Sequence, residues 1–339
     1  MEQAILIWGA GAIGGTIGAY LARAGQAVTF VDVVPAHVEA IRDPSRGLRI
    51  TGPVDSFVVN APAFLPEELV GTFDRIYLAV KAQDTERACR ALAPHLAANG
   101  YVVSLQNGLC ERLIAQIVGP ERTVGAFVNF GADWIEPGEI LYGNRGAVVV
   151  GEIDGALTPR AHALHATLRA FEPDAILSED IWSYLWGKLG YGSLLFAQAV
   201  GQLGIADCLG RGELLALWRS LAGEAMQVAQ AEGVNPRGFN GFDPAAFQRG
   251  ATEQQARASV AAMVDFNRPN AKTHSGVWRD LAIRKRRTEV DMQIAPVVAI
   301  GRTHGIECAK LDALVRMIHE IEDGARPLSD SNLNELLAA

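Results

Sequence analysis

Short apolar runs alternate with helix-spaced patterns through the first half of the chain, and helix-spaced patterns alone fill most of the second. The run "AILIW" at 4–8 is followed by glycines. Ile13, Ile17, Leu21 and Ala24 then recur on one helical face, and Gly25 stands where a helix-ending glycine belongs. "AVTFV" (27–31), "RIYLAV" (75–80) and "YVVSL" (101–105) read as further buried strands, separated by helical patterns such as "DTERACRALAPHLA". Apolar strands alternating with helices predict a parallel sheet covered on both faces. "RTVGAFVNFG", "GEILYG" and "GAVVVGEI", within 122–152, read as strands with little helix between them and are expected to extend the edge of that sheet. Beyond Glu179 strand patterns give way to long helical ones as far as Asp323. The expectation is an α/β domain over 1–178 followed by an all-α domain over 179–339. "GVNPRGFNGFDP" (233–244) reads as a loop, the tail "RPLSDSNLNELLAA" as loosely packed until its last turn, and the basic run "RKRR" as a solvated helix face.

One stretch breaks its own pattern. From Ile181 to Ala206 the only ionisable residue other than tyrosine is Lys188, set among Trp186, Leu189, Tyr191, Leu194 and Leu195. An ammonium in such company is costly unless something pairs with it. Residues 189–206 form 18 uncharged positions, the lower limit of a membrane span, but four are glycines and two are glutamines, so a buried core helix is the better reading. Alternatively, Lys188 carries its charge to the surface along its own stem.

Composition narrows the choices. The chain has 339 residues, 49% of them hydrophobic, enough for two domains with substantial cores. A net charge of -8 argues against nucleic acid or an anionic membrane as the main partner. Cys89, Cys110, Cys208 and Cys308 form no C-x-x-C pair and suggest free thiols in the cytoplasm, with no metal site. "MEQAILIWGAG" lacks the basic start of a secretion signal.

Gly9, Gly11 and Gly14 have G-x-G-x-x-G spacing, directly after a predicted strand and opening a predicted helix, the context of a Rossmann-type dinucleotide site. Gly9 would permit the tight turn, Gly11 the approach of a pyrophosphate, and Gly14 close packing of helix on strand. The first helical amides, at Ala12, Ile13 and Gly14, would face the phosphates. Asp32, 23 positions after Gly9, ends the second strand, and the following "VVPAH" contains no Lys or Arg. A carboxylate there accepts ribose hydroxyls and repels a 2′-phosphate, so NAD is expected over NADP. Lys81 and Asn107 follow two further strands, where ligands of open α/β sheets bind. Taken singly, Lys81 could be a solvated surface residue and Asn107-Gly108 an ordinary turn.

Together, "GAGAIGG", "AVKAQDT", "SLQNGL", "WGKL" and "RDLAIRKRRTEVD" resemble the ketopantoate reductase family nearly end to end. The resemblance implies an N-terminal Rossmann domain, an all-helical C-terminal domain, and reduction of 2-dehydropantoate to pantoate. It implies that Lys188 is the general acid, that Lys81 and Asn107 lie near the nicotinamide, and that Glu289 anchors the substrate or the lysine. Hydride delivery to a ketone creates an alkoxide that needs a proton donor and a nearby positive charge. Apolar surroundings make a lysine readier to give up its proton. Read alone, Glu289 could be half of a helical salt bridge.

The chain departs from the family pattern at several positions. Gly192 and Phe196 stand where the family has asparagines, four and eight residues after the lysine. Ile294 and Ala295 replace an Asn-Gly pair. The substrate-side serine falls at His274-Ser275, with Ser275 the candidate. Most members carry a basic residue in place of Asp32 and use NADP. With Gly192 opening space and Phe196 forming an apolar wall, a 2-oxo acid with a larger, more apolar side chain is expected. The packing alternative is a tight helix crossing at Gly192 with Phe196 in the core. The implied protein is a cytoplasmic homodimer acting on a small 2-oxo or 2-hydroxy acid in a cleft between its domains, and not on nucleic acid or membranes. Its rivals are an NAD-dependent dehydrogenase of a different 2- or 3-hydroxy acid and a non-catalytic NAD-binding redox sensor.

Overall fold

A computed structural model describes residues 4–270 and 272–339, which divide into two compact units, Met1–Ile181 and Trp182–Ala339. The first unit contains, in chain order, β1 (Ile5–Trp8), α1 (Ala12–Arg23), β2 (Val28–Val31), α2 (Pro35–Arg42), β3 (Leu48–Thr51), β4 (Phe57–Val59) and β5 (Ala63–Phe64). It continues with β6 (Phe73–Leu78), α3 (Thr85–Leu92), β7 (Leu96–Ser104), α4 (Cys110–Val118), β8 (Thr123–Val128), β9 (Gly131–Glu136), β10 (Glu139–Asn144), β11 (Val148–Glu152), α5 (Pro159–Leu168) and β12 (Ile176–Leu177). Eight strands form one sheet in the order β12-β11-β8-β7-β6-β1-β2-β5. All neighbours in it run parallel except β8 and β11. Every residue of β1, β2, β8 and β11 is buried, as a sheet covered on both faces requires.

The 122–152 region corrects the expectation from sequence. β8 and β11 join the large sheet, but β9 and β10 leave it and form a second sheet, β4-β3-β10-β9. The reason lies in the patterning. β8 and β11 are apolar on both faces, whereas β10 alternates buried and half-buried residues, as a one-sided sheet does. This small sheet lies against α1. A side chain at Gly15 would collide with Ile140 of β10, and Tyr20 meets Phe57 and Tyr142 edge-on at centroid distances of 5.0 and 5.8 Å. The far end of α1 closes as the sequence suggests. Gly25 has φ 85°, its N–H donates to Ala22 O, and Gln26 N–H donates to Leu21 O, the paired bonds of a Schellman motif.

The second unit is helical: α6 (Ile181–Gln198, whose first residue belongs to the first unit), α7 (Ile205–Leu209), α8 (Leu215–Ala231), α9 (Glu253–Asn267), α10 (Gly276–Arg279), α11 (Val290–Thr303), α12 (Ala309–Glu322) and α13 (Ser331–Ala338). No helix among the described residues is long and apolar enough to cross a membrane. Residues 233–244 form the expected loop. The tail differs from expectation, being anchored along its length. Leu333 and Leu336 are buried, Asn332 Nδ2 donates to Val200 O at 2.9 Å, and Asp330 Oδ1 accepts the Gln202 N–H at 2.8 Å. The basic run is exposed, as expected, but only Arg284 of it is helical, and its arginines are paired with acids. Arg284 and Arg286 both pair with buried Asp280, and Arg287 pairs with Glu322 and Asp323. The acids that hold Arg287 come from α12 and its end, 35 and 36 positions away, so no local pattern announces them.

Candidate active site

The strand order changes direction between β1 and β6, and ligands of open α/β sheets bind at such a switch. The glycine turn follows β1 there. Gly9 has φ 98°, and a Cβ on it would lie 2.9 Å from the backbone of Ala79 and Val80, just past β6. A side chain at Gly14 would collide with the Gly9 carbonyl and meet Ile7 at 2.9 Å, so this glycine sets how closely α1 approaches β1. Gly11 differs: a Cβ there meets nothing within 4 Å, so its face of the backbone is open. The first-turn amides of Ala12, Ile13 and Gly14 follow, and Gly11 as the N-cap offers no side chain to cover them.

Two side chains hold the residue between the first two glycines. Asp32 Oδ2 accepts the Ala10 N–H at 2.9 Å, while its Oδ1 accepts the Val34 N–H at 3.0 Å. Each oxygen retains lone-pair capacity for a further donor. On the opposite side, His37 Nε2 lies 2.8 Å from Ala10 O. His37 Nδ1 accepts the Gly138 N–H at 2.9 Å and faces Trp134 Nε1 at 3.4 Å. Nδ1 is therefore the unprotonated nitrogen, and Nε2–H donates to Ala10. Buried His37 thus ties the β9–β10 hairpin to the glycine turn. Sequence reasoning passed over His37, although the histidine in "VVPAH" is the one polar side chain of that segment.

Lys81 and Asn107 stand on neighbouring loops, after β6 and β7, which pair in parallel. Gln106 joins these loops. Its Nε2 donates to Val80 O at 3.0 Å and to Thr85 Oγ1 at 2.8 Å. Thr85 Oγ1 donates to Ala82 O at 2.7 Å, and Cys110 Sγ donates to Asn107 O at 3.2 Å. The backbone on each side of Lys81, and that of Asn107, is thereby fixed by side chains no motif singled out.

In the second unit α6 has no fully exposed residue. Tyr184, Lys188, Gly192 and Leu195 are half-buried and spaced by four, four and three, so they form one open stripe on a buried helix. Lys188 lies on that stripe with Gly192 one turn further on. A Cβ at Gly192 would meet a single atom within 4 Å, Gln293 Oε1 at 3.8 Å, so there is space beside it and no tight crossing. Phe196 is 1% exposed and lies off the stripe, in the core, where it offers no wall to a ligand. The alternative that had Phe196 in the core because helices cross tightly at Gly192 is thus met only in its second half.

Glu289 is the N-cap residue of α11 and is 6% exposed. It stands directly after an anchored threonine. Glu322 Oε1 accepts both the N–H and the Oγ1–H of Thr288 at 2.7 Å, and Thr288 Oγ1 accepts the Val290 N–H at 3.2 Å. Ser275 caps α10, its Oγ accepting the Trp278 N–H at 3.1 Å. His274 lies against the Trp278 ring with centroids 4.0 Å apart, and its Nε2 is 3.2 Å from Gln202 O. Of this pair Ser275 is buried and His274 exposed.

Two family models match the chain in sequence order: Ketopantoate reductase PanE/ApbA over residues 5–155, and Ketopantoate reductase PanE/ApbA C terminal over residues 180–322. The chain belongs to the ketopantoate reductase family. Among its relatives, the 2-dehydropantoate 2-reductase of Archaeoglobus fulgidus is 29% identical over 95% of this chain and 99% of its own. A crystal structure of a PanE/ApbA family ketopantoate reductase from Ralstonia eutropha JMP134 is 28% identical, with a TM-score of 0.78 over 95% of this chain and 99% of that one. The fold is shared also with D-mandelate dehydrogenase in its ternary structure with NADH and anilino(oxo)acetate, at a TM-score of 0.82 and 21% identity over 95% of this chain and 99% of that one.

Within this family frame, the first unit's residues fit a bound dinucleotide. The open face at Gly11 admits a pyrophosphate where side chains at Gly9 or Gly14 would distort the turn, and the Asp32 carboxylate at the end of β2 suits ribose hydroxyls. The motifs that resemble the family contain the glycines, Lys81, Lys188 and Glu289. His37, Gln106 and Glu322 were not singled out with them, and they bond to neighbours of those residues, Ala10, Val80 and Thr288.

Proposed function

We propose that the protein reduces a 2-oxo acid to the corresponding 2-hydroxy acid with NADH in preference to NADPH. Membership of the ketopantoate reductase family makes it an NAD(P)-linked oxidoreductase acting between keto and hydroxy groups. The default substrate is 2-dehydropantoate, the acid in the name of the Archaeoglobus relative. The observation that carries the reading is the placement of Lys188: the only charged residue of α6 lies on the half-open stripe of a helix that, apart from Trp182 near its start, is otherwise buried. A lysine whose purpose was merely to reach solvent would not need so apolar a helix around it.

Bound NADH supplies the hydride that reduces the carbonyl carbon. Lys188 then donates the proton taken up by the carbonyl oxygen, and its positive charge stabilises that oxygen as negative charge develops. Glu289 holds the lysine or the substrate in position. The turn at Gly9 and Gly11, with the amides of Ala12, Ile13 and Gly14, holds the pyrophosphate. Asp32 accepts the ribose hydroxyls and repels a 2′-phosphate, and Lys81 and Asn107 serve the nicotinamide end. Ser275, already committed to capping α10, contributes its hydroxyl proton on the substrate side. The reading includes a homodimer, and a cytoplasmic location in keeping with four buried free thiols. Light scattering on the purified protein checks the dimer.

The deciding experiment is Lys188→Ala. Its kcat should fall by about 10²- to 10⁴-fold on 2-oxo acids. NADH affinity, measured by fluorescence titration, should stay within about threefold, because the groups that hold the cofactor belong to the glycine turn. A variant retaining more than about a tenth of the wild-type rate would assign the proton to another group.

A further inference from the structure

The space beside Gly192 is faced by an amide. Gln293 lies on α11, one turn beyond Glu289, whose carbonyl accepts the Gln293 N–H at 3.0 Å. Gln293 is 8% exposed, and its Oε1 is the nearest atom to a Cβ at Gly192. An amide that faces open space beside a helix presents both a donor and an acceptor to whatever occupies that space. On α6, Lys188 and Gly192 share the open stripe, and four residues advance a helix by about 6 Å. Gln293 and Lys188 therefore flank the same strip of surface from two helices, one turn out of step.

We propose that Gln293 is a specificity-determining residue, whose amide hydrogen-bonds a polar group on the side chain of the 2-oxo acid. The proposal rests on the reading above, in which Lys188 protonates the carbonyl oxygen. A partner about 6 Å along the helix from Lys188 is too far for the substrate carboxylate, whose oxygens lie only about 3 Å from the carbonyl oxygen by bond geometry. A hydroxyl about four bonds from the carbonyl oxygen matches that span. An amide both donates and accepts, so it completes a hydroxyl in either direction. The inference overturns the preference expected from sequence. Gly192 does remove a side chain from α6, but the gap is lined by an amide from α11, and Phe196 supplies no apolar wall. The acid selected is one that carries a hydroxyl, not one with a larger apolar side chain.

The test compares two acids that differ by one group: 2-dehydropantoate, whose side chain ends in a hydroxymethyl, and the same acid with that hydroxyl replaced by hydrogen. With NADH, the wild-type protein should favour the hydroxylated acid by about 10- to 100-fold in kcat/KM. Gln293→Leu should bring the ratio to within about threefold by losing activity on the hydroxylated acid alone. Activity on the deoxy acid, which shows that the variant is folded, should stay within about threefold of wild type. Gln293→Met, which keeps the length of the side chain without its amide, should behave alike. An unchanged ratio in both variants, or an equal loss on both acids, overturns the proposal. Equal use of the two acids by the wild type overturns it while leaving a 2-oxo acid reductase. Turnover of neither acid with either cofactor overturns the reading of function, and this proposal with it.

Discussion

Ala10 has only a methyl group for a side chain, yet both polar atoms of its backbone are held by distant residues, the N–H by Asp32 and the carbonyl by His37. Asp32 therefore has two tasks, shaping the turn and selecting the cofactor, and substitutions can separate them. The wild-type protein should prefer NADH over NADPH by about 10- to 100-fold in kcat/KM, the effect of on the order of 1–3 kcal/mol of repulsion. Asp32→Asn keeps an acceptor for Ala10 while removing the charge, so it should narrow the preference mainly by improving NADPH. Equal kcat/KM for the two cofactors in the wild type would remove the basis for this assignment. His37→Leu should act differently. It takes one bond from Ala10 and one from Gly138 without touching charge at the ribose, so NADH and NADPH should both bind about tenfold more weakly in fluorescence titrations. A loss confined to one cofactor would mean that His37 contacts the ligand itself. Asp32 was legible in the sequence because it ends a strand at a fixed distance from a glycine motif. His37 was not, because its partners Trp134 and Gly138 lie 97 and 101 positions away, in a hairpin expected elsewhere.

Among elements, α6 shows how one residue type serves opposite ends on two faces. A side chain at Gly187 would collide with the Arg237 carbonyl, and one at Gly190 with Met226, so these glycines let the 233–244 loop and α8 close on the helix. The Arg237 N–H donates to Ser183 O at 2.9 Å across the same face. Gly192, on the open stripe, touches nothing of the kind. Gly187→Ala should therefore destabilise the protein by about 2–4 kcal/mol, because backbone must move to admit the methyl group. Gly192→Ala should be neutral or stabilising by up to about 1 kcal/mol, as alanine is the better helix former. Urea unfolding of the two variants checks both signs, and a destabilised Gly192→Ala would show that the stripe is closed. In the sequence these glycines look alike. The character of α6 as a buried helix with one charge was legible from composition, but which glycine faces packing and which faces open space depends on a loop some fifty residues later. The second sheet was obscured in the same way: β10 pairs in parallel with β3, 90 residues earlier, and no local pattern carries that information.

For the whole molecule, the alternation of strands and helices, followed by helices alone, was legible from hydrophobic spacing, because each period is set by local geometry. The four cysteines, two in each unit, give a way to follow the units separately. All four are buried. Burial pushes the thiols of Cys89 and Cys208 up to about 12 and that of Cys308 to about 11. Thiolate is the reactive form, so at pH 8 the native protein should resist alkylation, and labelling should report unfolding. Mass spectrometry along a urea gradient then assigns a midpoint to each cysteine. The proposed cofactor groups all belong to the first unit, which contains Cys89 and Cys110. A ligand that binds only the folded state, at about 100 times its Kd, stabilises it by about 2.7 kcal/mol. With a urea dependence of about 2–3 kcal/mol per M, NADH should raise the labelling midpoints of Cys89 and Cys110 by about 1 M. NADPH at the same concentration should raise them less, by the margin that Asp32 imposes. Midpoints for Cys89 and Cys110 that do not move with NADH would exclude the first unit as the cofactor's binding site, whatever activity the protein shows.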